Sequence, residues 1–501
     1  MHRRWLAVAM VLGSGCGDDG VVGDASSSST GGSTGGEGST SSEGSGTASS
    51  SVDDSGSTSS SGNQGTTGTG SSGSLESSGD ASSGASSSGG SDSSSSGGET
   101  GLVLGDCYEA SHPWAGALCG SALTPCTVLV DEAVDGVGYF RNGSPSVTHD
   151  DTCTPSVLFS VAEGGYYGHV ATRTGTAAWD TAGTPAAVAL GAIAWDTDLD
   201  VLRVLEYDGA SAIAHHTYDG VSFGIEPALH DGEYLLDGEA AASLGHGRWH
   251  VATQSWGDGI YLYGEFDGAW TTAPMTTATA LATAVSDLDE AHVTYYAAPA
   301  GSWAHYYVPA PDGPPELVFD SGTNSLTAAG SGIAMVGSTP HVIAARPTGD
   351  ALQEVVYAVR NAADDWTVRT IVADDTTGEQ QCGEPQVDGE TCDYDYVRHR
   401  PLGIVASHGG DVRLLWAETH SMGTLTASCD FACAWTPTAD DSEHAMWISA
   451  PTDDDFDDAV VIDRDVASID IEVDGAGNLH LAAYVFTTDG DTTVDYLLLG
   501  P

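Results

Sequence analysis

Asn478–Val485, NLHLAAYV, is the clearest copy of a short apolar strand that returns throughout the second half of the chain. RWHVATQS (Arg248–Ser255), EAHVTYYA (Glu290–Ala297) and TPHVIAAR (Thr339–Arg346) share its His-aliphatic start, and DVRLLWAE (Asp411–Glu418) carries Arg413 where the others carry His. DVLRVLEY (Asp200–Tyr207) and PSVLFSVA (Pro155–Ala162) are degenerate copies. With Ser156, Arg203, His250, His292, His341, Arg413 and His480 as equivalent anchors, the intervals are 47, 47, 42, 49, 72 and 67 residues. A period of this size in β-branched and aromatic strands marks sheets repeated around an axis. The expected fold is therefore all-β: a seven-bladed β-propeller with four antiparallel strands per blade, six blades being the alternative count.

Each anchor strand has companions. AMVG (Ala334–Gly337) reads as a first strand turning into the anchor strand, YGEFDG (Tyr263–Gly268) as a third strand ending in a turn, and WTVRTIV (Trp366–Val372) as a fourth. Asp-Gly suits such hairpins because glycine accepts positive φ. The last repeat offers only three strands, ASIDIEV, NLHLAAYV and VDYLLLG, while CTVLVDEAV (Cys126–Val134) near the start resembles a fourth. The N-terminal strand is thus expected to complete the last blade and close the ring, removing an open sheet edge.

The first hundred residues have a different character. Residues 1–15 pair a basic start (Arg3, Arg4) with an apolar run (Trp5–Leu12) and read as a secretory signal peptide, too short to span a bilayer. LGSGC (Leu12–Cys16) resembles a bacterial lipobox, although Leu12 stands four residues before the cysteine rather than three. That resemblance implies lipidation at Cys16 and a lipid anchor in a bacterial membrane, the outer membrane or cell surface foremost. Residues 16–100 are Ser, Gly and Thr with scattered acids, a composition that buries too little apolar surface to fold. They are expected to be a disordered tether carrying the propeller domain, 101–501.

The chain holds 71 acids, 13 arginines and no lysine, for a net charge of −58. Such a field repels nucleic acid and anionic lipid, so membrane contact is expected through the anchor only, with the domain a soluble monomer. Without lysine there is no phosphate-binding P-loop, no Schiff base and no Ser-x-x-Lys nucleophile. Eight cysteines follow Cys16, an even number that in an exported chain favours disulfides over zinc. Local spacing pairs Cys382 with Cys392 and Cys429 with Cys433. Cys107, Cys119, Cys126 and Cys153 form two more bridges in one of three pairings.

The two long intervals locate insertions at Asp375–His399 and Thr419–His444, expected as disulfide-pinned loops side by side on one rim of the sixth blade. Loops on a rigid scaffold are favoured places for binding. The candidate binding residues are Tyr394, Tyr396, Arg398, His399, Arg400, Glu418, His420, Trp435 and His444. Trp416 is expected in the blade core. The anchor histidines sit at the same place in successive, rotated blades and do not converge, so they are read as structural. Asp196, Asp198 and Asp200 alternate like calcium ligands, yet Val201 stands where the loop needs glycine. Calcium at these three is the alternative to no metal or cofactor at all.

The leader, the Ser-rich tether and the repeated strands together resemble bacterial lipid-anchored β-propeller lipoproteins of unassigned activity. The function expected is a non-enzymatic, tethered recognition or scaffold module that binds a protein or a glycan through one propeller face. The alternatives are a glycan-active hydrolase or lyase using rim carboxylates, and a calcium-dependent adhesin.

Overall fold

The computed structural model describes residues 118–501 apart from short intervening stretches, the longest of them 230–240; the signal peptide, Cys16, the tether and Cys107 lie outside the described residues. The described strands form seven four-stranded antiparallel sheets. Six are simple meanders in chain order. The seventh has the order Thr127–Val137, Thr492–Gly500, Leu479–Phe486, Val466–Val473, so the N-terminal strand is its outermost member, as the sequence predicts. The first strand of each blade packs on the first strand of the next, and Val466–Val473 of blade seven packs on Ser146–His149 of blade one, which closes the ring.

The anchor strands read as nearly continuous apolar runs because each is covered on both faces. In NLHLAAYV the residues Leu479, Leu481, Ala483 and Val485 join a cluster shared with blade six, including Leu415 and Ile448. Ala482 and Tyr484 join a cluster shared with blade one, including Val157 and Phe159. The strand period of two sends alternate side chains into alternate inter-blade layers.

Three of the four anchor histidines, His292, His341 and His480, bond a tyrosine of their own blade. The Nδ1 atoms of His292, His341 and His480 lie 2.7, 2.6 and 2.8 Å from the hydroxyls of Tyr307, Tyr357 and Tyr496 on the neighbouring third strands. Where the anchor is arginine it has other work. Arg203 donates to Asp196 at 2.5 Å. Arg413 donates through Nε to the carbonyl of Cys119 at 2.6 Å and pairs with Asp411, clamping the entering chain against blade six. In Ser156 the hydroxyl meets Thr172 Oγ1 at 2.9 Å.

The turn before the anchor strand also repeats. Asp474 Oδ1 accepts the amides of Ala476 and Asn478, and Asp150 Oδ1 those of Thr152 and Thr154. Asp196 is the same device: Oδ1 accepts the amides of Asp198 and Leu199, while Oδ2 accepts from Arg203. The alternating acids thus form a capped turn in which both oxygens of Asp196 are engaged by the protein. Among the described residues no group of three or more His, Cys, Asp or Glu side chains is arranged to hold a metal ion.

Disulfides join Cys119 to Cys126, Cys382 to Cys392 and Cys429 to Cys433, and Cys153 is also disulfide-bonded. The two pairs assigned from local spacing are present. Such bonds indicate an oxidising, extracytoplasmic environment. Among the described residues no helix is long and apolar enough to cross a membrane.

Burial holds His292, His341 and His480 well below the ordinary 6.5, each down to about 4. These rings are neutral in the fold, whereas the unfolded chain takes up protons below 6.5, so their contribution to stability is intact above 6.5 and declines toward pH 4. His341→Leu removes the buried hydrogen bond between the imidazole and the Tyr357 hydroxyl and should cost about 1–3 kcal/mol at pH 7.5. Denaturant titrations should show the gap between wild type and variant narrowing by pH 5; a gap that widens on acidification would contradict the assignment.

Candidate functional site

Blade six departs from the pattern of the others. Its first three strands, Thr391–Ala406, Val412–Cys429 and Cys433–Ser449, run 16, 18 and 17 residues, while no strand of another blade exceeds 11 among the described residues. The expected insertions are therefore largely strand rather than loop: among the described residues only 375–390, with the short helix Gly378–Cys382, stays outside the sheet. The rest continues the strands, paired from Thr391↔Thr426 to Arg400↔Ala417 and from Leu414↔Ser449 to Cys429↔Cys433. The shared rim is correct: these ends all lie on the side of the connection between second and third strands. Ten added residues at about 3.3 Å each raise a three-stranded fin roughly 30 Å above the blade.

The sequence folds this way because both insertions keep the period of two, as in Cys392-Asp-Tyr-Asp-Tyr-Val-Arg398. The fourth strand, Val460–Ile462, covers only the base of the third, so the upper third strand is an edge. Pro437 and exposed Asp441 and Glu443 on that edge discourage pairing with another chain. Two disulfides stiffen the fin: Cys429–Cys433 joins the second strand to the third, and Cys382–Cys392 ties the short helix Gly378–Cys382 to the first.

Register divides the candidate residues between two faces. His399↔Glu418↔Ala445 and Val397↔His420↔Glu443 present one face, and Arg398↔Thr419↔His444 and Tyr396↔Ser421↔Ser442 the other. His399, Glu418 and His420 therefore belong together. Tyr394, Tyr396, Arg398, Arg400, Trp435 and His444 do not share their surface, so the nine residues are not one site.

Several of the second group are engaged in holding the fin. Tyr394 is buried, stacked on Tyr396 with ring centroids 5.5 Å apart, and a Cβ on Gly378 would stand 3.2 Å from its ring. Trp435 Nε1 donates to the Gly383 carbonyl at 2.6 Å. The helix thus packs directly on the tyrosines. Arg400 donates to the Val466 carbonyl at 3.0 Å, and His444 lies 3.2 Å from Asp465, both linking the fin to blade seven. Arg398, exposed, lies over the Tyr396 ring at 5.3 Å.

The opposite face carries a row of imidazoles and carboxylates. His399 Nε2 is 3.3 Å from Glu418 Oε2, and its ring Nδ1 is 3.6 Å from Asp374 Oδ1. Asp374 Oδ1 also accepts the His399 amide at 2.7 Å, and Gln353 Nε2 donates to the His399 carbonyl at 2.8 Å. Asp374 and Gln353 orient this histidine from blade five. Neither was named from sequence, because each acts across a blade boundary and carries no local motif. Higher up, His420 Nε2 lies 2.6 Å from Asp395 Oδ1. That bond foremost, with Glu443 and Glu418 nearby, raises the His420 pKa above 6.5. The row runs from the buried His399 and Asp374 at the base to the exposed Asp395 and Glu443 higher up, and its hydrogen-bonding groups carry net negative charge.

No family model matches the chain, and no curated protein matches it. Solved structures are similar at a distance. A protein of unknown function from Dyadobacter fermentans is 11% identical with a TM-score of 0.37, covering 75% of this chain and 99% of that one. A polysaccharide lyase is 9% identical with a TM-score of 0.37, covering 74% and 90%. An Aleuria aurantia lectin mutant in complex with Fucα1-6GlcNAc is 13% identical with a TM-score of 0.36, covering 60% and 96%. At these identities and scores the likenesses carry no argument about what the chain binds or does.

Replacing Asp395 with Asn should lower the His420 pKa toward 6.5, read from the imidazole proton shifts in an NMR titration. An unchanged titration would contradict the pairing of these two side chains.

Proposed function

We propose that the chain is an exported recognition module, held to a membrane by a lipid on Cys16 and a Ser/Gly/Thr-rich tether, that binds a glycan or protein partner on the fin of blade six. The observation that carries this reading is the fin itself. One blade of seven extends three strands, two disulfides brace them, and the extension presents a row of polar side chains with defined partners. A rigid sheet fixes such groups before a partner arrives, which reduces the ordering cost of binding. Its carboxylates suit hydroxyl-rich or cationic groups.

The experiment is a glycan and peptide array probed with the intact chain, followed by binding titrations of the double variant Asp395→Asn, Glu443→Gln. The reading expects a ligand whose affinity falls at least tenfold in the variant with thermal stability retained. Unchanged affinity would overturn it.

A second reading has its own support. His399 Nε2 stands 3.3 Å from Glu418 Oε2 and Asp374 holds the His399 backbone, a carboxylate beside a positioned imidazole that suits general acid or base chemistry on a glycan. Turnover of an oligosaccharide that disappears in Glu418→Gln would establish a hydrolase or lyase in place of a binding module.

A further inference from the structure

The turn between the first and second strands takes one form in three successive blades. In blade six the Gly410 amide donates to the Ser407 carbonyl, in blade seven Gly477 donates to Asp474, and in blade one Cys153 donates to Asp150, each at 3.0 Å. All three residues have left-handed backbone, with φ of 88°, 81° and 65°. Glycine adopts that conformation freely, whereas a Cβ makes it costly. Blade one thus keeps a cysteine where its neighbours around the ring have glycine. What the residue adds, against a backbone preference, is its sulfur.

That sulfur is bonded. Cys153 is fully buried at the junction of blades one and seven, its Sγ 3.9 Å from Asp474 Oδ2, and it is disulfide-bonded. The other six cysteines among the described residues pair with one another, so of the nine in the chain Cys16 and Cys107 are left as partners for Cys153. Both precede Leu118. A lipid thioether on Cys16 occupies the sulfur there, which leaves Cys107; to that extent the assignment rests on the anchor proposed at Cys16.

The route of the chain gives the bridge its consequence. The Leu118 amide donates to Asp411 Oδ2 at 2.5 Å, and Arg413 holds the carbonyls of Leu118 and Cys119, all at the corresponding turn of blade six. The chain then runs into Thr127–Val137, the strand that completes blade seven. With no bridge at Cys153, tension on the tether would reach the ring through this clamp and then through the closing strand. A bridge from Cys107 encloses residues 108–152, the closing strand among them, in a covalent loop that the tension bypasses. The pull then enters Pro155–Ala162, a strand hydrogen-bonded on both sides, to Ser146–His149 and to Tyr166–Gly175.

We infer that Cys153 is the point at which the tether is fastened to the propeller: a Cys107–Cys153 disulfide carries tension from the membrane anchor into blade one and spares the strand that closes the ring. Two thiols lose two electrons and two protons to form it, and an exchanging protein disulfide of the export compartment is reduced to its dithiol in return. Cys153 and the Arg413 clamp both lie on the side of the turns between first and second strands, while the fin rises from the opposite side. A partner held on the fin and the anchor therefore pull on opposite ends of the blades, the situation in which the bypass matters.

Two measurements on the full chain test this. A non-reducing peptide map of the thiol-blocked protein should contain a peptide linking Cys107 to Cys153; a Cys16–Cys153 link, or a Cys153 that takes the blocking reagent, would overturn the assignment, and the former would remove the lipid from Cys16 as well. Optical tweezers should then stretch the chain between its N-terminus and a handle at Ala434 on the fin. Wild type should show no release before blades unfold. The double variant Cys107→Ser, Cys153→Gly, which gives the turn the glycine of its two neighbours, should release residues 118–137 in a separate early step at about half the force or less. Identical first events in the two proteins would overturn the mechanical role. Should the double variant not fold, Cys107→Ser alone, which leaves the buried turn intact, decides by the same trace. Neither outcome alters the array result on the Asp395 and Glu443 variant.

Discussion

The pairing of Thr127–Val137 with Thr492–Gly500 is the constraint on which the rest depends. It joins segments at opposite ends of the described chain, from Thr127↔Gly500 to Val137↔Thr492, and turns an open stack of sheets into a ring. Charged side chains reinforce it on both sides: Glu132 receives two hydrogen bonds from Arg173 of blade one, and Asp131 pairs with Arg464 of blade six's outer segment. Once the ring is closed every blade has two neighbours. Each of the seven inter-blade layers then holds its own apolar cluster, and no anchor strand faces water.

Within that frame one position per blade absorbs local differences. His292, His341 and His480 bond a tyrosine on the next strand, Arg203 grips an aspartate at its own turn, and Arg413 reaches beyond the blade to the carbonyls of Leu118 and Cys119. The exception at blade six follows from where the chain enters the fold. That clamp, with the Cys119–Cys126 bridge, leads the entering segment toward the strand that closes blade seven.

Much of this was legible because it is periodic. The interval between anchors yields the number of blades, the missing fourth strand at the C-terminus points to its replacement, and the two long intervals locate the fin on the correct rim. The fin's character was legible too in the alternation of Cys392-Asp-Tyr-Asp-Tyr, but cysteines near both insertions suggested pinned loops instead. Taking parity along these strands would have separated His399, Glu418 and His420 from Tyr396, Arg398 and His444. What the sequence could not show are contacts across blade boundaries: Asp374 against His399, and Gly378 against the tyrosines. Those pairs have no fixed spacing, since they are set by how blades turn about the axis.

Native-state hydrogen exchange tests the closed ring most directly. If the N-terminal strand is an integral part of blade seven, the amides of its paired residues should be protected to within about 1 kcal/mol of those in Leu479–Phe486, because both open only with the domain as a whole. Exchange in Thr127–Val137 faster by several orders of magnitude, with Leu479–Phe486 still protected, would contradict it: the strand would then be a loosely attached flap and the ring would stand open.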